Sequence, residues 1–242
     1  LASEVKENGP NGPCGPCSEI FYDWQEASGC GRDTCSPSCS CGRFVEIWNL
    51  VFTQFDRREG GILEPLPTKN IDTGMGLERL ASVMQRKRAN FQIDTFSYII
   101  KAIEREVDAD YGSGGESDSH LNAIADHIRA VAIAISDGVR PSNEGRGFVI
   151  RKLVRRASQR GRRLGVSEPF IYKVIPAVAR AMKGPYPELA QRREDIANVV
   201  LSEELSLKEV LDTLLPRVEE DISALKDRGR DRVPGEMIFR YY

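Results

Sequence analysis

The sequence predicts an α+β protein whose strands come first and whose helices follow, and three observations carry that reading. Residues 19–22 and 44–55 cluster β-branched and aromatic side chains, the composition of pleated, half-buried strands. From Leu77 onward the apolar period becomes helical: Leu77, Leu80, Ala81 and Met84 share a face, and apolar-periodic stretches follow near 95–107, 119–136, 148–163 and 168–182. The composition shifts near residue 95, which divides the chain into a domain of 1–95, with a cysteine-rich insertion at 28–43, and a helical domain of 96–242.

In an extended RFVEIWNLVF strand, Ile47, Asn49, Val51 and Thr53 point to one face and Glu46, Trp48, Leu50 and Phe52 to the other, so Asn49 and Val51 are neighbours. Pro65, Pro67 and Lys69 mark a loop before a strand end at Ile71. Asp72 to Leu80 read DTGMGLERL, a glycine-punctuated turn from strand to helix. Its glycines let bare backbone approach a ligand, and Arg79, three residues past Gly76, can reach back over it; a tight turn with Asp72 as an N-cap is the other reading. The Gly- and Ser-rich YGSGGESDS at 111–119 is a surface loop closing on Ser119 as N-cap. From Tyr186 to about Lys226 the pattern is one long charged helix with Leu207, Leu211, Leu214, Val218 and Leu225 at helical spacing and a kink expected at Pro216.

At 242 residues and 40% hydrophobic content the chain can bury a core. It holds no apolar run near the roughly 20 residues of a membrane span and nothing resembling a signal peptide, so a cytoplasmic location is expected. A formal net charge of −2 hides an uneven distribution: Arg146 to Arg163 contain eight basic residues and no acidic one. That block suits a polyanion, or else forms a solvated helix face. In a helix from about Phe148, residues Phe148, Val149, Leu153 and Ala157 make a buried stripe, with Arg151, Lys152, Arg155, Arg156, Arg160 and Arg163 opposite. The chain begins at Leu1 and stops inside MIFRYY, which reads as a fragment of a longer protein.

All six cysteines, Cys14, Cys17, Cys30, Cys35, Cys39 and Cys41, fall in the first 41 residues. In a cytosolic chain disulfides are disfavoured, so a structural Zn²⁺ on Cys30, Cys35, Cys39 and Cys41 competes with free thiols in a surface loop. His120 and His127 take no metal role in this reading; each is a packed or capping histidine.

NGPCGPCSEIFYD, EIWN ending at Asn49, DTGMGLERL, and DHIRAVAIAISDGVRPSNEGRGFVIRKLVRR from Asp126 to Arg156 together resemble the alanyl-tRNA synthetases, over nearly the whole chain. The resemblance implies part of a class II synthetase antiparallel sheet followed by the mostly helical tRNA-recognition domain. It implies an ATP-dependent alanine-tRNA ligase using Mg²⁺, with L-alanine, ATP and the tRNA(Ala) acceptor stem as partners and no membrane. Asn49 and Asp72 correspond to residues that hold the substrate's α-amino group, Val51 and Gly74 to the wall of the methyl pocket. Gly74, Gly76 and Arg79, the arginine of motif 3, correspond to the ATP site, so Asp72 and Arg79 are the catalytic candidates. Asn143 corresponds to the asparagine that reads the acceptor stem, and Arg146, Arg151, Lys152, Arg155, Arg156 and Arg160 are the candidate RNA contacts. Motifs 1 and 2, and the aspartate that partners the asparagine, are absent from the chain. The fragment alone is therefore expected to be inactive, the ligase being the parent protein. A non-catalytic, zinc-stabilised RNA-binding module derived from a synthetase is the alternative.

Overall fold

The fold is given by a computed structural model that describes residues 11–25 and 29–241. Ser28, the first residue of the predicted cysteine-rich insertion, and Tyr242, the last of the FRYY end, lie outside the described residues. The chain divides into two compact units, Leu1–Ile93 and Asp94–Tyr242.

The first unit is built on one long strand. Strand β3 (Phe44–Arg57) pairs antiparallel with β4 (Leu63–Met75) along one edge. Along the other edge lie two short strands in succession, β1 (Gly12–Cys14) and β2 (Cys17–Asp23). Gly15 sits at the joint between them. A Cβ there would fall 1.8 Å from the carbonyl oxygen of Phe52, so only glycine lets this backbone pass so close to β3. The closeness is used, since the Phe52 amide donates to the Pro16 carbonyl at 2.9 Å. The segment 65–69 belongs to β4, but the ladder is interrupted there: Pro65 lies opposite Phe55 and Asn70 opposite Thr53, so residues 66–69, Pro67 among them, bulge out of the pairing. β4 is an edge strand among the described residues, where a proline's missing N–H breaks no ladder bond that a further strand needs. Among the described residues of this unit Ile93 is the only buried apolar side chain, and β3 is mostly half-buried.

Helix α1 (Leu77–Met84) follows β4 directly. Its predicted apolar face is not buried, for Leu77 and Met84 are 74% and 75% exposed, and the residue it buries is Ser82. Gly76 is its N-cap residue, which removes the capping role considered for Asp72, four positions back in β4.

The second unit is helical: α2 (Asp94–Glu104), α3 (Glu116–Ser136), α4 (Gly145–Arg163), α5 (Ile171–Ala181), α6 (Glu188–Asp227) and α7 (Gly235–Arg240). Ile99, Ile103, Leu121, Ile124, Ile128, Ile171 and Ile175 are all but completely buried. Each contributes about 1.5–3 kcal/mol of transfer free energy, which gives this unit its core. α3 begins three residues before the predicted cap Ser119, because Asp118 in its first turn accepts the amides of Gly112 and Gly114 (2.9 and 3.2 Å) and ties the loop onto the helix. α6 continues through Pro216.

Of the stripe predicted for α4, Ala157 is buried and Leu153 half-buried, but the first two residues are not. Phe148 and Val149 are 48% and 54% exposed, and the buried line is Gly147, Ile150, Val154, Ala157, Gly161. Glycine carries no apolar signal, yet these two mark the closest approaches. A Cβ on Gly147 would lie 2.3 Å from the Arg140 carbonyl oxygen, and one on Gly161 would lie 2.1 Å from the Phe170 ring. Their spacing of three and four from the apolar positions sets the true face.

Candidate functional site

The registers of the sheet assemble six side-chain positions into one block. On β3, Asn49 lies opposite Gly74 of β4 and Glu19 of β2, and Val51 lies opposite Asp72 and Cys17. Directly opposed residues of antiparallel strands share a face, so Cys17, Glu19, Asn49, Val51, Asp72 and Gly74 line the same side of the sheet. The Asn49 amide confirms the placement, donating to Cys17 Sγ at 3.2 Å and to Glu19 Oε1 at 3.5 Å. Thr73 Oγ1 pins the β3–β4 register by donating to the Asn49 carbonyl at 2.9 Å, and itself accepts from Trp48 Nε1.

This face is open and polar around one small apolar group. Asp72 is exposed and, among the described residues, has no hydrogen-bond or salt-bridge partner. A Cβ at Gly74 would meet nothing within 4 Å, so this glycine keeps space clear above the sheet rather than relieving a contact within it. Gly76 differs, because a Cβ there would crowd the Arg79 stem at 3.1–3.3 Å. Arg79 does reach back over Gly76, and its Nη1 donates to the Glu46 carbonyl at 2.9 Å and lies 3.5 Å from the Glu46 carboxylate. At 48% exposure the guanidinium keeps free donors facing outward.

The four cysteines between β2 and β3 converge. The Sγ atoms of Cys30, Cys35, Cys39 and Cys41 all lie within 4.8 Å of one another, with Cys30 to Cys39 at 3.7 Å and Cys35 to Cys41 at 3.6 Å. These four thiols are close enough to bind one metal ion. The backbone amide of Arg43 lowers the Cys41 thiol to about 7, while desolvation lifts Cys35 to about 11.

In the helical unit the candidate RNA residues separate into two groups. Arg151 and Arg155 turn toward α6, where both bind Glu203, a carboxylate only 6% exposed, at 3.1 and 2.6 Å. Arg151 also donates to the Asn143 side-chain oxygen. Arg160 meets the buried His120 at 3.2 Å. Arg146, Lys152 and Arg156 are exposed, and among the described residues no ion pair holds them. Asn143 is exposed and does not cap α4, whose N-cap residue is Glu144. Beside it opens a polar cleft of about 510 Å³ lined by Arg140, Pro141, Arg151, Asn198, Ser202 and Glu203. The pocket by Phe170 and Glu204 holds only about 20 Å³, room for about one water.

Residues 2–242 match the family model of tRNA synthetases class II (A). The chain belongs to that family. It is 46% identical over 225 residues to a protein of Desulfosudis oleivorans and 48% identical over 225 residues to one of Desulforamulus reducens, each named alanine–tRNA ligase. A Geobacillus kaustophilus protein of the same name is 45% identical over 229 residues. Each match covers 93% of this chain and 26% of the relative, so the chain spans about a quarter of the length of these curated relatives. No helix among the described residues is long and apolar enough to cross a membrane.

Sequence reasoning missed the partners of the candidate residues. Cys17 and Glu19 stand beside Asn49 only because β2 pairs with β3, and that long-range register has no local signal. Glu203 had one, being an acidic residue on the buried Val200 and Leu207 side of α6, a position that calls for a cationic partner.

Proposed function

We propose that the full-length protein is an alanine-tRNA ligase of the cytoplasm, with the β3–β4 face as its amino-acid site. The observation that carries this reading is the register that puts Asn49 and Val51 opposite Gly74 and Asp72. Asp72 is an unpaired carboxylate suited to an α-ammonium, and the Asn49 side-chain oxygen is a second acceptor for it. Val51 and the open space over Gly74 suit a small apolar side chain such as a methyl.

Arg79, held at its stem by Gly76 and on one side by Glu46, presents the rest of a planar, permanent cation to a nucleotide. The carboxylate of alanine attacks the α-phosphorus of ATP, pyrophosphate leaves, and the alanyl group passes from the adenylate to the terminal adenosine of tRNA(Ala). No protein nucleophile takes part, so this chain's contribution is position and charge. Mg²⁺, carried on the ATP phosphates, neutralises their charge; the described residues group no carboxylates that would hold it separately. The helical unit is the tRNA-recognition domain, with Asn143 and the exposed cations of α4 toward the acceptor stem. Cys30, Cys35, Cys39 and Cys41 hold a structural Zn²⁺.

The test is alanine-dependent ATP–pyrophosphate exchange by the full-length protein and its Asp72→Ala variant, with serine and glycine as competing substrates. Exchange with alanine that collapses on losing Asp72 supports both the activity and the ammonium site. A folded wild type that gives no exchange would leave an RNA-binding module instead.

A further inference from the structure

The connection between β2 and β3 has nothing of the usual kind to fold around. Residues 29–43, GCGRDTCSPSCSCGR, contain no aliphatic side chain other than Pro37 and no aromatic one. A segment with so little apolar surface to bury holds a fixed shape only if a crosslink or a metal organises it. It does hold one: the amides of Cys35 and Cys39 close successive turns onto the carbonyls of Arg32 and Ser36 at 2.9 and 2.8 Å, and each turn delivers a thiol to the cluster.

The sulfur spacing selects between the two organisers. Zn–S bonds of about 2.3 Å in a tetrahedron place the sulfurs about 3.8 Å apart, whereas a disulfide needs about 2.05 Å. The 3.7 and 3.6 Å pairs are at the tetrahedral edge.

The cluster is coupled to the sheet through one side chain. Arg43, two residues past Cys41, donates to both oxygens of Asp23 at 2.7 Å. Asp23 is the last residue of β2 and pairs with Phe44, the first of β3, while the Trp24 amide donates to the Arg43 carbonyl at 3.0 Å. β2 needs such a hold. Its register on β3 shifts between Ile20 and Phe21, and Ile20 and Tyr22 are 44% and 37% exposed, so little apolar burial retains it. Its other end is secured by the bond from Phe52 to Pro16.

Resting on the zinc assignment above, we infer that the four-cysteine cluster is a clasp: metal-loaded, it fixes Arg43 on Asp23 and so holds β2 in register, keeping Cys17 and Glu19 beside Asn49 at the amino-acid site. The clasp sits four residues, about 13 Å, from Glu19, so it acts by positioning and touches no substrate.

The experiment uses the 242-residue chain, purified under reducing conditions, with metal content and amide hydrogen exchange as readouts. One zinc per chain is expected. Stripping it with a chelator should speed exchange at Ile20 to Asp23 and at Val45 to Trp48 by about tenfold or more, with the helical unit unchanged as an internal control for unfolding. Arg43→Gln should keep the zinc and show the same loss of protection in β2. A reduced chain that binds no zinc overturns the metal assignment. A chain that binds one zinc yet exchanges identically after stripping keeps the metal and overturns the clasp. Neither result bears on pyrophosphate exchange, which tests the ligase reading separately.

Discussion

Replacing Glu203 with glutamine should destabilise the helical unit by about 2–4 kcal/mol. The carboxylate is 6% exposed and accepts from Arg151 Nε at 3.1 Å on each oxygen and from Arg155 Nε at 2.6 Å. Charge-assisted bonds contribute about 1.5–3 kcal/mol each. Two corrections reduce the sum: the arginines are 25% and 31% exposed, so water recovers part of their solvation, and glutamine keeps one acceptor oxygen. About half of the total remains, in line with the roughly 3–5 kcal/mol for breaking a buried pair. For a unit of this size the loss corresponds to a melting temperature lower by about 5–15 °C, measured by far-ultraviolet circular dichroism with urea titration as a second estimate. A change below about 0.5 kcal/mol, the range of ordinary surface substitutions, would show that Glu203 is solvated and that Arg151 and Arg155 are not held by it.

Three other outcomes are expected. Gly15→Ala should loosen the sheet unit selectively, since its Cβ would lie 1.8 Å from the Phe52 carbonyl oxygen. Trp24 and Trp48, the two tryptophans of the chain, should report this in fluorescence-detected urea unfolding while helical ellipticity holds. Burial raises the Glu204 pKa above its ordinary 4.5 despite the amides of Ile171, Tyr172 and Phe170; stability from the neutral acid is therefore full below about pH 4.5 and lost as pH rises through the raised value. Glu204→Gln should flatten that fall in urea midpoints. In the full-length protein, Lys152→Ala and Arg156→Ala should each reduce the salt slope of tRNA binding by about 1 and leave melting unchanged.

What could be read from the sequence followed from local signals. Helix positions were legible because α2 to α6 repeat apolar residues at helical spacing, and β3 because residues 44–55 cluster β-branched and aromatic side chains. The face shared by Asn49 and Val51 follows from alternation alone. Errors arose where a local rule met a tertiary fact. Pro65 and Pro67 suggested a loop because proline cannot donate to a ladder; β4 accommodates them by pairing Pro65 at an edge and letting 66–69 bulge out of register. The buried line of α4 was only partly legible because Gly147 and Gly161 pack by absence of a side chain, which a hydrophobicity pattern cannot register.

The cations of α4 show why a charge block alone does not locate an RNA surface. Eight basic residues in Arg146 to Arg163 look equivalent in sequence, yet position relative to the buried line 147, 150, 154, 157, 161 divides them. Arg151 and Arg155 flank that line, meet α6, and are neutralised by Glu203. Lys152 and Arg156 each sit one position further on, roughly 100° around the helix, and remain exposed. The same argument applies to the sheet, where β3 sets every placement: its alternation aligns Asn49 with Val51, its register brings in Asp72 and Gly74, and its first pair carries the cysteine clasp. A substitution that slips β3 by one residue would turn the whole Asn49–Val51 face over at once. The devices that pin it, Gly15 under Phe52, Thr73 on Asn49 and Arg43 on Asp23, are therefore the places outside the face where activity should be most sensitive.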